Sequence, residues 1–317
     1  MTSILCEIKA AHARITPYIV KTPVLRLPAL DSYLGCEVYA KAECLQLTGA
    51  FKLRGAINRM LQLTPEQLKC GVVTASSGNH GKALSYTAKM LGSKATVVIP
   101  DTAPEIKVNA IKALGAEVVR STPVERFEVA ERIAKETGAV LVPPYNDVDI
   151  MCGQGTIGLE ILDQLPDVDK IIVPVSGGGL IGGVSAAVKE SNPTITVIGA
   201  EPAALPRYTA SLAAGEPVRV EQKPTLADAL VSNRPGDICF PWVQKYVDKI
   251  VDVTDEDMLR GSKRLLLDGH LLAEFSSAIG IGAVLGGLID VKPGEKVCFV
   301  ISGGSVDLPQ LDMLKNI

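Results

Sequence analysis

Short β-branched runs alternate with stretches of helical spacing along most of the chain. GVVTAS is followed by NHGKALSYTAKML, KATVVIP by PEIKVNAIKALG, and AEVVRS by VERFEVAERIAKE, and AVLVPP closes the block. The rhythm resumes with KIIVPV, a helical stretch from about Leu180, ITVIGAE, DKIVDV and EKVCFVIS. Strand and helix signatures in alternation predict an α/β fold with parallel sheets. The runs between Gly71 and Val142 form one compact set, and the flanking segments supply a second sheet. The reading is therefore two units: a smaller one, residues 68–142, inserted into a larger one, residues 1–67 and 143–317. The stretch PRYTASLAAGEPVRVEQKPTLADAL has weak periodicity with Pro and Gly spread through it, and reads as surface structure rather than a linker.

Composition narrows the function classes. At 317 residues the chain has room for two cores. A net charge of −3 with interspersed signs gives no basic stripe for nucleic acid, and no apolar run is long enough for a membrane span. The opening MTSILCEIKAAHARI mixes charges at helical spacing and lacks a secretion-signal pattern, so a cytoplasmic location is expected. The seven cysteines are scattered without a C-x-x-C pair, which predicts reduced, mostly buried thiols rather than a metal or disulfide framework. His12 and His270 lack metal-ligand spacing and read as ordinary helix residues, and Trp242 as packing.

Four segments carry chemistry. In TGAFKLRGA, Lys52 stands among small and apolar residues, an environment that lowers an amine's pKa and fixes its aim. In SGGGLIGG, Ser176 to Gly183, a glycine-rich turn follows an apolar strand and opens a helical pattern, which suits a phosphate. The same glycines fit G-x-G-x-x-G, and Glu201 ends the next strand where a ribose-binding acid would stand, so this segment alone favours a nicotinamide enzyme. SSGNHG, from Ser76, joins a strand to a helix and offers hydroxyls, an amide and free N–H groups to a carboxylate, or else simply caps the helix. Near the end, ISGGSVDL puts Ser302 at a strand terminus beside two glycines. Reactive lysine, phosphate cradle, carboxylate cradle and strand-end serine together describe a small phosphorylated aldehyde bound to a lysine, with an amino acid as its partner.

With these segments, CGQGTIGLE and their order, nearly the whole chain resembles the fold-type II pyridoxal-phosphate enzymes, in particular the serine/threonine dehydratase and serine racemase group. The resemblance implies two three-layer parallel-sheet domains of the tryptophan synthase β kind, with pyridoxal 5'-phosphate between them. It implies that Lys52 carries the cofactor and acts as base, that Phe51 lies beside the ring, and that Asn79 bonds the ring hydroxyl. Ser176, Gly177, Gly178, Gly179 and Leu180 would hold the phosphate, and Ser302 would face the pyridine nitrogen. The amino-acid substrate would meet Ser76, Ser77, Asn79 and His80, with Ser77 as a proton donor on the face opposite Lys52. Glu201 matches a divalent-cation (magnesium or calcium) ligand of the racemase branch, but the position of the second acid is Arg207, and a guanidinium beside a cation is costly. Arg126 matches a position near the substrate and is left outside the site, because solvation on a helix surface explains it equally well. Glu274 matches an acid near the cofactor ring, within a stretch, LLAEFSSAIG, that departs from the group's usual wording, and Ser305 stands where the group commonly has asparagine. The expected activity is removal of water from a β-hydroxyamino acid, with serine racemisation as the alternative. A homodimer is expected.

Overall fold

The computed structural model describes residues 3–317 apart from Ser77 and Pro104, and without the side chains of Ile106, Lys107 and Asn316. Among the described residues there are ten strands: β1 Val24–Arg26, β2 Glu37–Lys41, β3 Val72–Ala75, β4 Ala95–Pro100, β5 Glu117–Ser121, β6 Val140–Leu141, β7 Lys170–Pro174, β8 Thr196–Pro202, β9 Lys249–Val253 and β10 Lys296–Val300. They form two sheets, one in the order β1-β2-β10-β7-β8-β9 and the other β5-β4-β3-β6. Every pairing is parallel except β1 with β2. The smaller sheet takes all its strands from Val72 to Leu141.

A parallel sheet covered by helices on both faces needs apolar residues at successive positions, each pointing to opposite sides. β7 and β10 show this directly. Ile172, Val297 and Phe299 enter one core with the helices Asp255–Leu267 and Ile279–Leu285. Ile171, Val173, Cys298 and Val300 enter the opposite core with the helices Val148–Gln164 and Gly179–Ser191. In the smaller sheet, Val72, Val97 and Ile99 pack with Met60, Leu84 and Ile150, while Val73, Ala75 and Val98 pack against Ala130. Met60 and Ile150 come from the segments flanking the smaller sheet, so its core reaches into the helix that begins at Lys52.

The segment read as surface structure contains the helix Arg207–Ala214, which buries Arg207, Tyr208 and Ser211. No side chain of its own caps it. Glu201, from the end of β8, accepts the backbone N–H groups of Tyr208 at 3.0 Å and Thr209 at 2.8 Å and so satisfies its open N-terminus. His270, expected in a helix, instead follows the helix Asp255–Leu267 with φ of 52°, and is the one positive-φ non-glycine residue among those described. All seven cysteines are free thiols, four of them buried. Trp242 packs beside Tyr246 and Ala186 as expected. Among the described residues no helix is long and apolar enough to cross a membrane.

Candidate active site

The chemistry-bearing segments meet at the carboxyl ends of the parallel strands, the crevice where open α/β sheets receive ligands. Lys52 opens the helix Lys52–Met60 and is partly buried; its Nζ donates to the carbonyl of Pro144 at 2.5 Å and lies 5.0 Å from the centre of the Phe51 ring. Burial pulls the Lys52 amine down to about 8, against the raising influence of Cys239 and Glu274. The first turn of its helix is pinned from below. Arg54, fully buried, pairs with Glu43 at 2.8 Å and Glu160 at 2.7 Å, and Lys41 pairs with the same Glu160 at 2.6 Å. Two cations and two carboxylates thus balance each other out of water, with Thr22 and Thr156 completing their hydrogen bonds.

The glycine-rich turn has its carbonyls engaged by the protein. Arg207 donates to the carbonyls of Val175 and Ser176, and Tyr208 Oη and the Gly236 N–H donate to that of Gly177. In a trans peptide the C=O and N–H point in opposite directions, so the N–H groups of Gly177 and Gly178 are turned away from these partners. The helix Gly179–Ser191 then starts with no side-chain cap, leaving its first N–H groups available beside the loop. Gly178 has φ of +102°, and a Cβ there would lie 1.8 Å from Tyr208 Oη. The Tyr145 ring covers the loop, 2.3 Å from where a Cβ on Gly177 would stand, and its hydroxyl meets Ser232 Oγ at 3.2 Å. The Ser232 N–H reaches Ser176 Oγ at 3.3 Å, and Leu180 is buried in the first turn.

Opposite this loop, Ser302 is buried at the end of β10, with its Oγ 3.1 Å from Ser277 Oγ. Its carbonyl accepts the Phe51 N–H at 3.0 Å, which links the strand end to the lysine-bearing turn. Asn79 begins the helix Asn79–Met90, again without a side-chain cap. Its amide donates to both oxygens of Glu274 at 3.0 Å, and its carbonyl accepts from Ser305 Oγ at 2.6 Å, which in turn meets Lys82 Nζ at 3.1 Å. Ser305 therefore orients Asn79. His80 is buried, with Nε2 3.1 Å from the Val142 carbonyl and Nδ1 lacking a partner among the described residues; burial drives its pKa to about 3, so the ring is neutral. Ser76 precedes this helix, with its Oγ 3.4 Å from the Gly78 N–H. Ser77 lies outside the described residues.

Glu201 is in another place. It is fully buried with Arg207, at 3.5 Å from the guanidinium, behind the glycine loop. Burial raises its carboxyl, opposed by Arg207 and the N–H groups of Thr209 and Tyr208. Among the described residues no group of three or more His, Cys, Asp or Glu side chains is arranged to hold a metal ion. Sequence reasoning did not find Pro144, Tyr145, Tyr208 or the Arg54 network, because their partners are distant in the chain.

Two sheets with a desolvated lysine, a glycine-rich loop and two uncapped helix starts at their strand ends are the arrangement of an α/β enzyme suited to a phosphorylated carbonyl cofactor. The chain belongs to the pyridoxal-phosphate dependent enzyme family, whose model matches residues 15–303. It is 44% identical to an L-threonine ammonia-lyase of Thermotoga maritima over 98% of this chain and 77% of that protein. It is 43% identical to a serine racemase of Arabidopsis thaliana over 97% of this chain and 94% of that protein. The structure of maize serine racemase superposes with a TM-score of 0.92 at 38% identity, covering 100% of this chain and 98% of that one.

Proposed function

We propose that this enzyme removes water from a β-hydroxyamino acid, L-serine, L-threonine or a relative, and releases a 2-keto acid and ammonia. The observation that carries the reading is the Lys52 amine, held near 8 by burial at a helix start, with its Nζ on the Pro144 carbonyl beside Tyr145, the residue that covers the glycine loop. The residues fit pyridoxal 5'-phosphate: only glycine suits position 178, the loop's N–H groups and the helix start at Gly179 suit a phosphate, and Lys52 suits an aldehyde. When bound, the cofactor supplies an electron sink for charge developing at the substrate α-carbon.

The chain's own residues then divide the work. The uncapped start of the helix at Asn79, with Ser76, receives the substrate carboxylate. Lys52, whose amine burial biases toward the neutral form, takes the α-proton. Ser302, hydroxyl to hydroxyl with Ser277, would offer a bound ring nitrogen a neutral partner, and a ring without a carboxylate there would favour departure of the β-hydroxyl over prolonged charge storage. Phe51 keeps water from one side of Lys52. In this reading residues 1–67 with 143–317 form one unit and residues 68–142 the other, with the site between them.

The second reading, serine racemisation with side elimination, is supported by the likeness to proteins named serine racemase. It assigns Ser77 as the proton donor opposite Lys52. A cytoplasmic homodimer that works without a magnesium or calcium ion completes the proposal, with Arg207 supplying the positive charge beside Glu201. A panel of L-serine, L-threonine and hydroxyaspartate, scored for keto acid and for D-enantiomer, tests it. Keto acid as the main product supports elimination; D-enantiomer in excess with little keto acid supports racemisation.

A further inference from the structure

A cavity of about 190 Å³ adjoins the site, lined by Thr74, Ala75, Phe127, Ala130, Leu141 and Tyr145. It lies beyond the ends of β3 and β6. Three contacts tie it to the chemistry. Pro144, which also lines it, carries the carbonyl that holds Lys52 Nζ at 2.5 Å. Tyr145 closes one side and covers the glycine loop with the same ring. Thr74 and Ala75 lead directly into Ser76 and the uncapped helix start assigned to the substrate carboxylate. A substituent on the β-carbon of an amino acid held there has this cavity beside it.

The lining is mainly apolar; its polar residues are Thr74, Glu131, Asn146 and Tyr145. Thr74 is fully buried and its hydroxyl has no hydrogen-bond partner among the described residues. Glu131 is exposed on the lining and offers no cation to an acidic substituent. Arg126, next to Phe127, lays its guanidinium over that ring, 4.9 Å from its centre, and its Nε is buried without a partner among the described residues. The mouth passes Phe127 and Leu141, which are 45% and 36% exposed. An apolar protein cavity of roughly 150 Å³ accepts a benzene molecule, so this one has room for a phenyl or branched alkyl group. A serine side chain leaves it unfilled.

We infer that this cavity is the subsite for the substrate's β-substituent and that it suits a large apolar group, so that β-aryl and bulky β-alkyl hydroxyamino acids are substrates; the inference rests on the elimination reading above. For L-threo-3-phenylserine the balance is simple. The Cβ–O bond breaks with loss of water, hydrolysis consumes one water and releases ammonia, and phenylpyruvate remains, with no oxidant or reductant needed.

The test has two parts, both on the cofactor-loaded enzyme. Dissociation constants are measured by calorimetry for L-phenylalanine, L-alanine and L-aspartate, none of which has a β-hydroxyl to lose. L-Phenylalanine is expected to bind at least tenfold more tightly than L-alanine; equal binding, or tightest binding by L-aspartate through Arg126, would overturn the assignment. In the second part, kcat/KM is compared for 3-phenylserine and L-serine in wild type and in Ala130→Leu, which fills the cavity. The phenylserine-to-serine ratio is expected to exceed tenfold in wild type and to fall at least tenfold in the variant. A wild-type ratio below one overturns the inference even if the variant does not fold. If no hydroxyamino acid yields keto acid, the elimination reading fails, and the cavity's role is still decided by the binding comparison.

Discussion

Arg207 faces Glu201 at 3.5 Å with neither side chain exposed, and the same guanidinium donates to the Val175 and Ser176 carbonyls that set the glycine loop. A cation bound by Glu201 would share that carboxylate with a fixed positive charge. Chelation with EDTA is therefore expected to leave activity within about twofold. Arg207→Gln strands a buried carboxylate, and breaking such a pair costs on the order of 3 kcal/mol. Urea unfolding of the variant checks this. Loss of most activity on chelation, restored by magnesium or calcium, would contradict the role given to Arg207.

The Lys52 amine makes a pH prediction for the cofactor-free protein. Because burial lowers its pKa from 10.5 to about 8, the protonated form is lost on raising the pH through 8. The rate of covalent cofactor uptake is expected to rise with pH and level off above about 8. A rate still climbing through pH 10 would place the amine in ordinary solvent.

Gly178→Ala tests the phosphate loop. With φ of +102° and Tyr208 Oη 1.8 Å from the new Cβ, either the loop or Tyr208 must move. Cofactor retention on dialysis is expected to weaken at least tenfold in the folded variant. Unchanged retention would remove the loop from the site.

Ser77→Ala separates the two proposed activities. Removal of the L-isomer's α-proton is assigned to Lys52, so keto acid formation from L-serine is expected to persist while any D-serine formation stops. D-serine made at the wild-type rate would exclude Ser77 as the second proton donor.

The parts legible in the sequence are those with local signatures. Strand and helix alternation gave both parallel sheets, and the strand-turn-helix setting of Ser176–Leu180 gave the loop, because glycine spacing there answers to neighbouring backbone. Lys52 stood out for its apolar neighbours. What escaped was long-range. The helix Arg207–Ala214 is capped by Glu201 from β8, not by its own N-terminal residue, so its start left no local trace. Arg54 meets Glu160 across 106 positions, and Tyr145 reaches Gly177 across a gap that only the fold closes. Glu201, spaced like a ribose acid, has its charge turned toward Arg207 and the N–H groups of a helix.

The account turns on one lysine as both cofactor carrier and base. Borohydride reduction of the cofactor-loaded enzyme, followed by peptide mapping, locates the attachment. The adduct is predicted on Lys52, and Lys52→Ala is predicted to lose both the adduct and keto acid production from L-serine and L-threonine. An adduct on Lys41 or Lys82, or full turnover in Lys52→Ala, would contradict it.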